Sequence, residues 1–461
     1  MLRNALRPTL VLLLLLSAIF IPFISSGYSE IRQAETGTSY PEIAHHYLTA
    51  AKRLPWRPDL YELAGTAYYH AKDYPNAETW YQKAFQRNAL SPEGWVAWGD
   101  VNYLNNDVER AFEIWKDGLE QPNPSDQLFS RLAQIVQEQR DYASAAEYLQ
   151  KYVTSHAEDA SAHYRLGLLL TLSDPSSATS EFLSASQLDP QFDPAVQTLR
   201  TALNLASLRD SPSERSVIIG RGLGLVNEWQ FALAAFEQAV KEDEKNAEAW
   251  AWLGEANQQT GGSEALTYLD RALGLNPNSS TVHSLRGLYF QRVGNHRDAL
   301  TEFQSAARIE PENPAMFVSL GDAYAMTGNL ILGLQSYQYA TTLAPEDAKY
   351  WSLLATFCGQ NNINIADVGI PAAHKAMSLS QDDPTVMDVL GWLLLLNGQR
   401  TDAEMILLRA SELSPSDAAV HFHLGVLYLQ NGDRVSAYDQ LMKAHALGSA
   451  EAEIALKQYF P

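Results

Sequence analysis

A single cysteine, Cys358, stands in 461 residues. That scarcity excludes an intrachain disulfide framework and any cysteine-based zinc knuckle. Positive charge is also short: 33 Lys and Arg face 54 Asp and Glu, giving a formal net charge of −21 and a sequence pI near 4.9. A surface that acidic repels phosphate backbones, so nucleic acid is not expected as a partner. Catalytic signatures are missing. No HExxH occurs, and Gly220, Gly222 and Gly224 alternate without the Lys-Ser/Thr end that a phosphate loop needs. His421 and His423 are separated by about 200° on a helix, and the neighbours His45 and His46 by about 100°, so neither pair can chelate one metal. The many acidic residues form no pattern that marks an acid–base pair. The chain is therefore expected to be no enzyme and to use no cofactor. Sustained alternation at period two is absent too, which leaves no warrant for a sheet.

What is present is a long period. Gly65, Gly99, Ala133 and Gly167 recur every 34 residues, and Gly220, Gly254, Gly287, Gly321, Ala355, Gly391 and Gly425 continue at steps of 33 to 36. A unit of this length cannot bury its own apolar face, so successive copies must stack. Hydrophobic residues make up 46% of the chain, enough for a continuous core. In the unit starting at Pro314, Phe317, Leu320, Gly321 and Tyr324 share one helix face, and Gly328 ends that helix. Gly333, Tyr337 and Ala340 share a face of a second helix, and Pro345 closes the unit. Tyr61, Gly65, Tyr68, Ala77, Tyr81 and Ala84 repeat that skeleton in the first complete unit. Cys358 falls at an apolar helix position, where a buried small hydrophobe is expected.

These units resemble the tetratricopeptide repeat from about Glu42 to the end of the sequence. The resemblance implies an all-α, right-handed solenoid of about eleven helix-turn-helix repeats. It further implies that the first small residue lets helix A and helix B of a repeat approach closely. The second, here Gly333, lets helix B meet the next helix A.

The period breaks once, where Gly167 and Gly220 lie 53 apart, one unit plus 20 residues. The extra segment, 193–212, carries Val196, Leu199, Leu203 and Leu208 at helical spacing and is expected to be a joint helix between a block at 42–192 and another at 213–448. Asn361 to Ile365 reads as a small insertion between two helices. Residues 449–461 read as a capping helix, which repeat arrays need for solubility. Pro41 to Leu54 reads as a lone first helix, preceded by a linker at 28–41.

The N-terminus differs in kind. Arg3 and Arg7 precede the uncharged run from Thr9 to Ile24, which Pro22 is expected to break, and Ser25-Ser26-Gly27 follows. A basic start, an apolar stretch and small residues are the parts of an export signal, cleaved here after Gly27. The 16-residue run is slightly shorter than the ~20 residues of a spanning helix, which favours cleavage, and a retained membrane anchor is the close alternative. In either case the arginines stay cytoplasmic and the repeats lie outside. No Cys follows the run, which excludes a bacterial lipoprotein. The lone Asn278-Ser279-Ser280 sequon is too common by chance to argue for a eukaryotic route. The expected protein is an exported or membrane-anchored bacterial repeat protein, touching membrane only through residues 1–27.

Within the resemblance, the groove is lined by the second, fifth, ninth, twelfth and thirteenth positions of each helix A. The first two complete units place Asp59, Glu62, Tyr69, His70, Glu93, Asp100 and Tyr103 there, an acidic and aromatic zone suited to a basic or amphipathic polypeptide. The last two place Asp388, Trp392, Leu395, Leu396, Phe422, Val426 and Leu429 there, an apolar zone expected either to bind a partner or to be covered by the chain's own tail. A clamp for C-terminal carboxylates is excluded, because Glu62, Val96, Asp100 and Gln134 stand where such clamps carry cations or amides. A repeat domain joined to a rubredoxin-like zinc module is excluded by the lone cysteine. The expected function is a scaffold binding a protein or peptide. The alternative is the handling of a carbohydrate or envelope polymer, with Tyr69 and Tyr103 against sugar rings.

Overall fold

The computed structural model describes the backbone of residues 2–460 and the side chains of residues 18 and 20–460. Among the described residues there are twenty-six α-helices and no strand. They fall into two compact units, Met1–Ser207 and Leu208–Pro461.

The first unit is a series of helical hairpins: α1 (Leu2–Thr36) with α2 (Tyr40–Arg53), α3 (Asp59–His70) with α4 (Tyr74–Phe85), and α5 (Pro92–Leu104) with α6 (Val108–Leu119). Then follow α7 (Gln127–Glu138) with α8 (Tyr142–Ser155), and α9 (Ala160–Leu170) with α10 (Pro175–Leu188). A 3-10 turn at Pro190–Phe192 leads to α11 (Asp193–Ser207), which packs on α10.

The second unit pairs α12 (Pro212–Leu225) with α13 (Trp229–Glu242), α14 (Ala247–Gln259) with α15 (Ala265–Leu275), and α16 (Ser280–Arg292) with α17 (His296–Ile309). It continues as α18 (Pro314–Met326) with α19 (Leu330–Leu343), and α20 (Ala348–Gln360) with α21 (Ile370–Leu379). It ends with α22 (Pro384–Leu396) and α23 (Arg400–Leu413), α24 (Ala418–Asn431) and α25 (Arg434–Ala446), and α26 (Ala450–Tyr459), which packs on α25.

Local chemistry sets these boundaries. Asp73, Asp107 and Asp141, at intervals of 34, each accept a hydrogen bond from the backbone N–H three residues on and so start α4, α6 and α8. Capping of this kind satisfies donors that a helix leaves unpaired, and it gives part of the acidic excess a structural use. The residue before each cap takes the left-handed conformation that reverses the chain. Lys72, Asn106 and Arg140 do so in the first unit, and Gly294, Gly328 and Gly398 in the second.

The periodic glycines sit under a large side chain of helix B. Gly99 lies beneath Trp115, where an added Cβ would come within 2.0 Å of the indole nitrogen, and Gly287 beneath Phe303, at 2.7 Å. A Cβ on Gly333 would meet Phe357 of the next helix A at 2.8 Å, so the second small residue does allow the approach between repeats. Cys358 is fully buried, and desolvation pushes its thiol up to about 11. The insertion after α20 turns through Asn362 and Asn364, both with positive φ, and a π turn at Ile365–Gly369 brings Gly369 against Cys358.

The N-terminal part departs from expectation. Pro22 does not end a helix: α1 runs on to Thr36, so residues 28–36 of the expected linker are helical. Nor is α2 alone, because Ile24 and Ile31 of α1 pack in one cluster with Ala50 and Ala51 of α2, Leu54 just after it, and Leu60 of α3. That burial supplies what the proline's lost hydrogen bond removes. Among the described residues no helix is long and apolar enough to cross a membrane. The side chains of residues 1–17 and 19, on which most of the signal or anchor expectation falls, lie outside the described residues.

Candidate functional site

The helix A faces of the first unit carry the expected acidic and aromatic residues, but most are already paired. Glu62 reaches from α3 to the start of α5, where it accepts hydrogen bonds from the backbone N–H (2.6 Å) and hydroxyl (2.5 Å) of Ser91. Burial pushes its carboxyl above the ordinary range. Asp59 is bonded by Arg57, its neighbour two residues back. Asp100 accepts from Arg131 of α7 at 2.7 and 3.1 Å. That carboxylate holds the guanidinium above its usual range.

Tyr103 donates its hydroxyl proton to Glu138 at 2.7 Å, while Gln134 donates to the same hydroxyl at 3.0 Å. Tyr69 is half-buried between Tyr74 and His70. Glu93 remains exposed. The zone is therefore a ladder of paired polar groups rather than an open acidic surface.

The sequence reading missed Arg131 and Arg165, because it took five helix A positions and both stand at the sixth. Each lies two residues before its periodic small residue, Ala133 and Gly167, so the signal was available. Arg165 donates to Gln137 at 2.7 Å.

The apolar zone near the end of the second unit is half-buried rather than open. Leu395 is 2% exposed, and Asp388 is buried. Phe422 and Leu429 pack against the cluster of Leu441, Ala444, Ala452 and Ala455, which includes α26. The expectation of a six-residue apolar groove face is corrected at Leu395, which is buried; Trp392, Leu396, Phe422, Val426 and Leu429 are half-buried, with Trp392 and Val426 packed against the core of α20 to α24. The cause is close packing of α22 on α24 and the cover that α26 supplies at the end of the stack. Trp392 stacks on His423 with ring centroids 4.3 Å apart, and His423 Nδ1 is 2.7 Å from the Asp388 carboxylate.

A third feature escaped the sequence reading altogether. A cavity of about 710 Å³ opens beside the inter-repeat segments that precede α12, α14 and α16, lined by Glu214, Val217 and Arg221 of α12, Glu248 of α14, and Arg209, Asp243, Lys245 and Asn276 of those segments. Arg221 lies over the Trp252 ring at 5.2 Å and 3.6 Å from Glu248. The next helix A faces are polar too, since Arg292 of α16 bonds Glu255 at 2.7 Å and Gln258 at 2.7 Å on α14. The lining mixes cations and carboxylates, which can complement a polar segment that carries both signs of charge. No cluster of three or more metal-ligating side chains occurs among the described residues.

Comparison with known proteins agrees with this architecture. The profile of the tetratricopeptide repeat matches residues 41–92, 130–191, 226–280, 284–348 and 389–453. Superkiller complex protein 3 of Mus musculus is 25% identical over 281 residues, 56% of this chain and 16% of that protein. A TPR repeat-containing protein of Methanocaldococcus jannaschii is 21% identical over 304 residues, 63% of this chain and 51% of the other. The chain thus spans a sixth of the first relative's length and half of the second's. Among solved structures, yeast Tom70 aligns over 96% of this chain and 95% of its own, with 16% identity and a TM-score of 0.42.

Proposed function

The chain belongs to the tetratricopeptide repeat family, and from that premise we propose that it is a non-enzymatic scaffold, held outside the cytoplasm by its N-terminal segment, which binds a protein or peptide on its helix A faces. The observation that carries the reading is the cavity on α12 and α14. It is a preformed, polar recess on elements fixed by packing, so a bound segment orders itself against a receptor that has little left to order. Arg221 and Glu248 offer opposite charges side by side, and Val217 gives an apolar floor. Such a site selects an extended, mixed-charge peptide.

Trp392 and Val426 are a secondary contact of the same reading, since aromatic anchors dominate interfaces even when half-buried at the start. The sugar-handling alternative has less to stand on. Its two tyrosines are half-buried, and the Tyr103 hydroxyl is already committed to Glu138.

A photo-crosslinking amino acid placed at Ile218, in the cavity wall, tests the proposal in the native cell. A discrete protein adduct is expected there, and none from the same probe at the exposed Met405 of α23. Equal adducts at both positions, or an adduct that is polysaccharide, would overturn it.

A further inference from the structure

Ile24, Gly27, Ile31 and Ala34 are spaced three, four and three apart on α1. That is the pattern by which every helix A in this chain faces its helix B. The contacts follow the pattern. Gly27 and Ala34 are buried, and Gly27 lies so close under Leu54, the residue that caps α2, that an added Cβ would meet it at 2.7 Å. Arg53 of α2 donates to the Ser26 hydroxyl at 2.6 Å and to Glu30 at 2.8 Å, and Glu30 also pairs with His46 at 2.7 Å. Residues 24–36 therefore do the work of a helix A, and α1–α2 is a further hairpin ahead of the eleven that the period marks.

Export cleavage after Gly27 would take Ile24, Ser26 and Gly27 out of that hairpin. What is left of α1, residues 28–36, is too short to hold as a helix by itself, since isolated helices below about 12 residues are marginal. The other half of the same helix has a different surface. Phe20, Ile21 and Phe23 are 53%, 63% and 47% exposed, and no charge occurs from Pro8 to Ser29, after Arg3 and Arg7. A run of large exposed apolar side chains of this size needs an apolar surrounding.

The end of the hairpin beside them has the chemistry of a bilayer interface. Trp56 is 53% exposed in the turn after α2, Tyr28 is exposed on α1, and Arg57 bonds Asp59. Trp, Tyr and Arg with long apolar stems are the residues that settle at a headgroup layer.

We propose that the N-terminal helix is retained in the mature protein and is a joint between a lipid bilayer and the repeats, with residues 24–36 built into the array, the residues before them in lipid, and Tyr28, Trp56 and Arg57 at the headgroups. This rests on the membrane attachment proposed above and adds to it that the attachment is uncleaved and continuous with the first hairpin. A flexible tether would let the repeats tumble; a helix shared by bilayer and array fixes how the first hairpin stands on the surface.

Two measurements on the full chain, expressed with its own N-terminus in an exporting bacterial host, test it. Intact mass of the detergent-extracted protein should correspond to the whole sequence. A mass lacking residues 1–27 overturns the joint while leaving an exported scaffold standing, whereas a full-length mass in the detergent-free soluble fraction overturns the lipid attachment itself. Second, a polarity-sensitive fluorophore on Trp56→Cys, with the native Cys358 buried and unreactive, is read in vesicles containing anionic lipid. Its emission should be blue-shifted relative to the same label on Glu93→Cys, an exposed site on α5. Identical emission from the two sites would overturn the placement of Trp56 at the headgroups.

Discussion

Glu62 bridges α3 and the N-terminus of α5, and its carboxylate is held by two donors of one residue, Ser91. Desolvation outweighs those bonds, so its carboxyl lies above the ordinary 4.5. A group whose folded pKa is raised contributes stability below its unfolded value and loses that contribution as pH rises through the folded value. Glutamine at this position cannot titrate. Glu62→Gln should therefore gain on the parent in melting temperature as pH rises from about 4.5 toward neutrality, since all other titrating groups are shared. Melts at three pH values read the difference directly. A difference that is flat or falls with pH would show that Ser91 and solvent already compensate the charge. The same residue shows why charge patterns mislead at this scale. Glu62, Asp100 and Tyr103 were legible as groove residues, but their partners were not, because Ser91, Arg131 and Glu138 lie 29 to 35 residues away in the chain.

Between helices, contact is decided by the small residue and what lies over it, and that is why the fold could be read so fully. A glycine every 34 residues is a direct record of helix A meeting helix B, and the structure places Tyr81, Trp115, Phe236 and Phe303 over Gly65, Gly99, Gly220 and Gly287. The α1–α2 hairpin was hidden for a related reason. Pro22 and the Ser25-Ser26-Gly27 stretch read as the end of a signal, which cut the stripe of Ile24, Gly27, Ile31 and Ala34 in two. For the apolar zone of α22 and α24, helix A position alone could not decide between a partner and the chain's own tail, and α26 packs against Phe422 and Leu429.

Two glycine substitutions separate packing from helix propensity. Gly99→Ala drives a methyl into Trp115, whose indole N–H already donates to Val96 O at 3.0 Å, and should cost about 3 kcal/mol. Gly274→Ala, in α15 with nothing within 4 Å of the new Cβ, should stabilise by about 1 kcal/mol. Urea unfolding measures both. Equal effects at the two sites would mean that the periodic glycines are not contact points.

At the scale of the whole molecule, each repeat contacts its neighbours, so stability is a sum of local terms within a unit. The chain divides between Ser207 and Leu208, at the end of α11. Val196, Leu199 and Leu203 of α11 are buried, and the helix packs on α10 within the first unit. We expect the first unit to depend on this helix and the second to melt by its own contacts. Leu199→Asp with Leu203→Asp removes two buried apolar side chains worth about 1.5–3 kcal/mol each. Calorimetry of the double variant should show the transition of the first unit moved to lower temperature and that of the second unchanged. Assignment comes from hydrogen exchange, which should accelerate in α7 to α10 and stay at the parent rate in α18 to α25. If both sets accelerate together, the two units unfold as one and α11 is a coupling element; if neither does, α11 contributes nothing to the stability of the array.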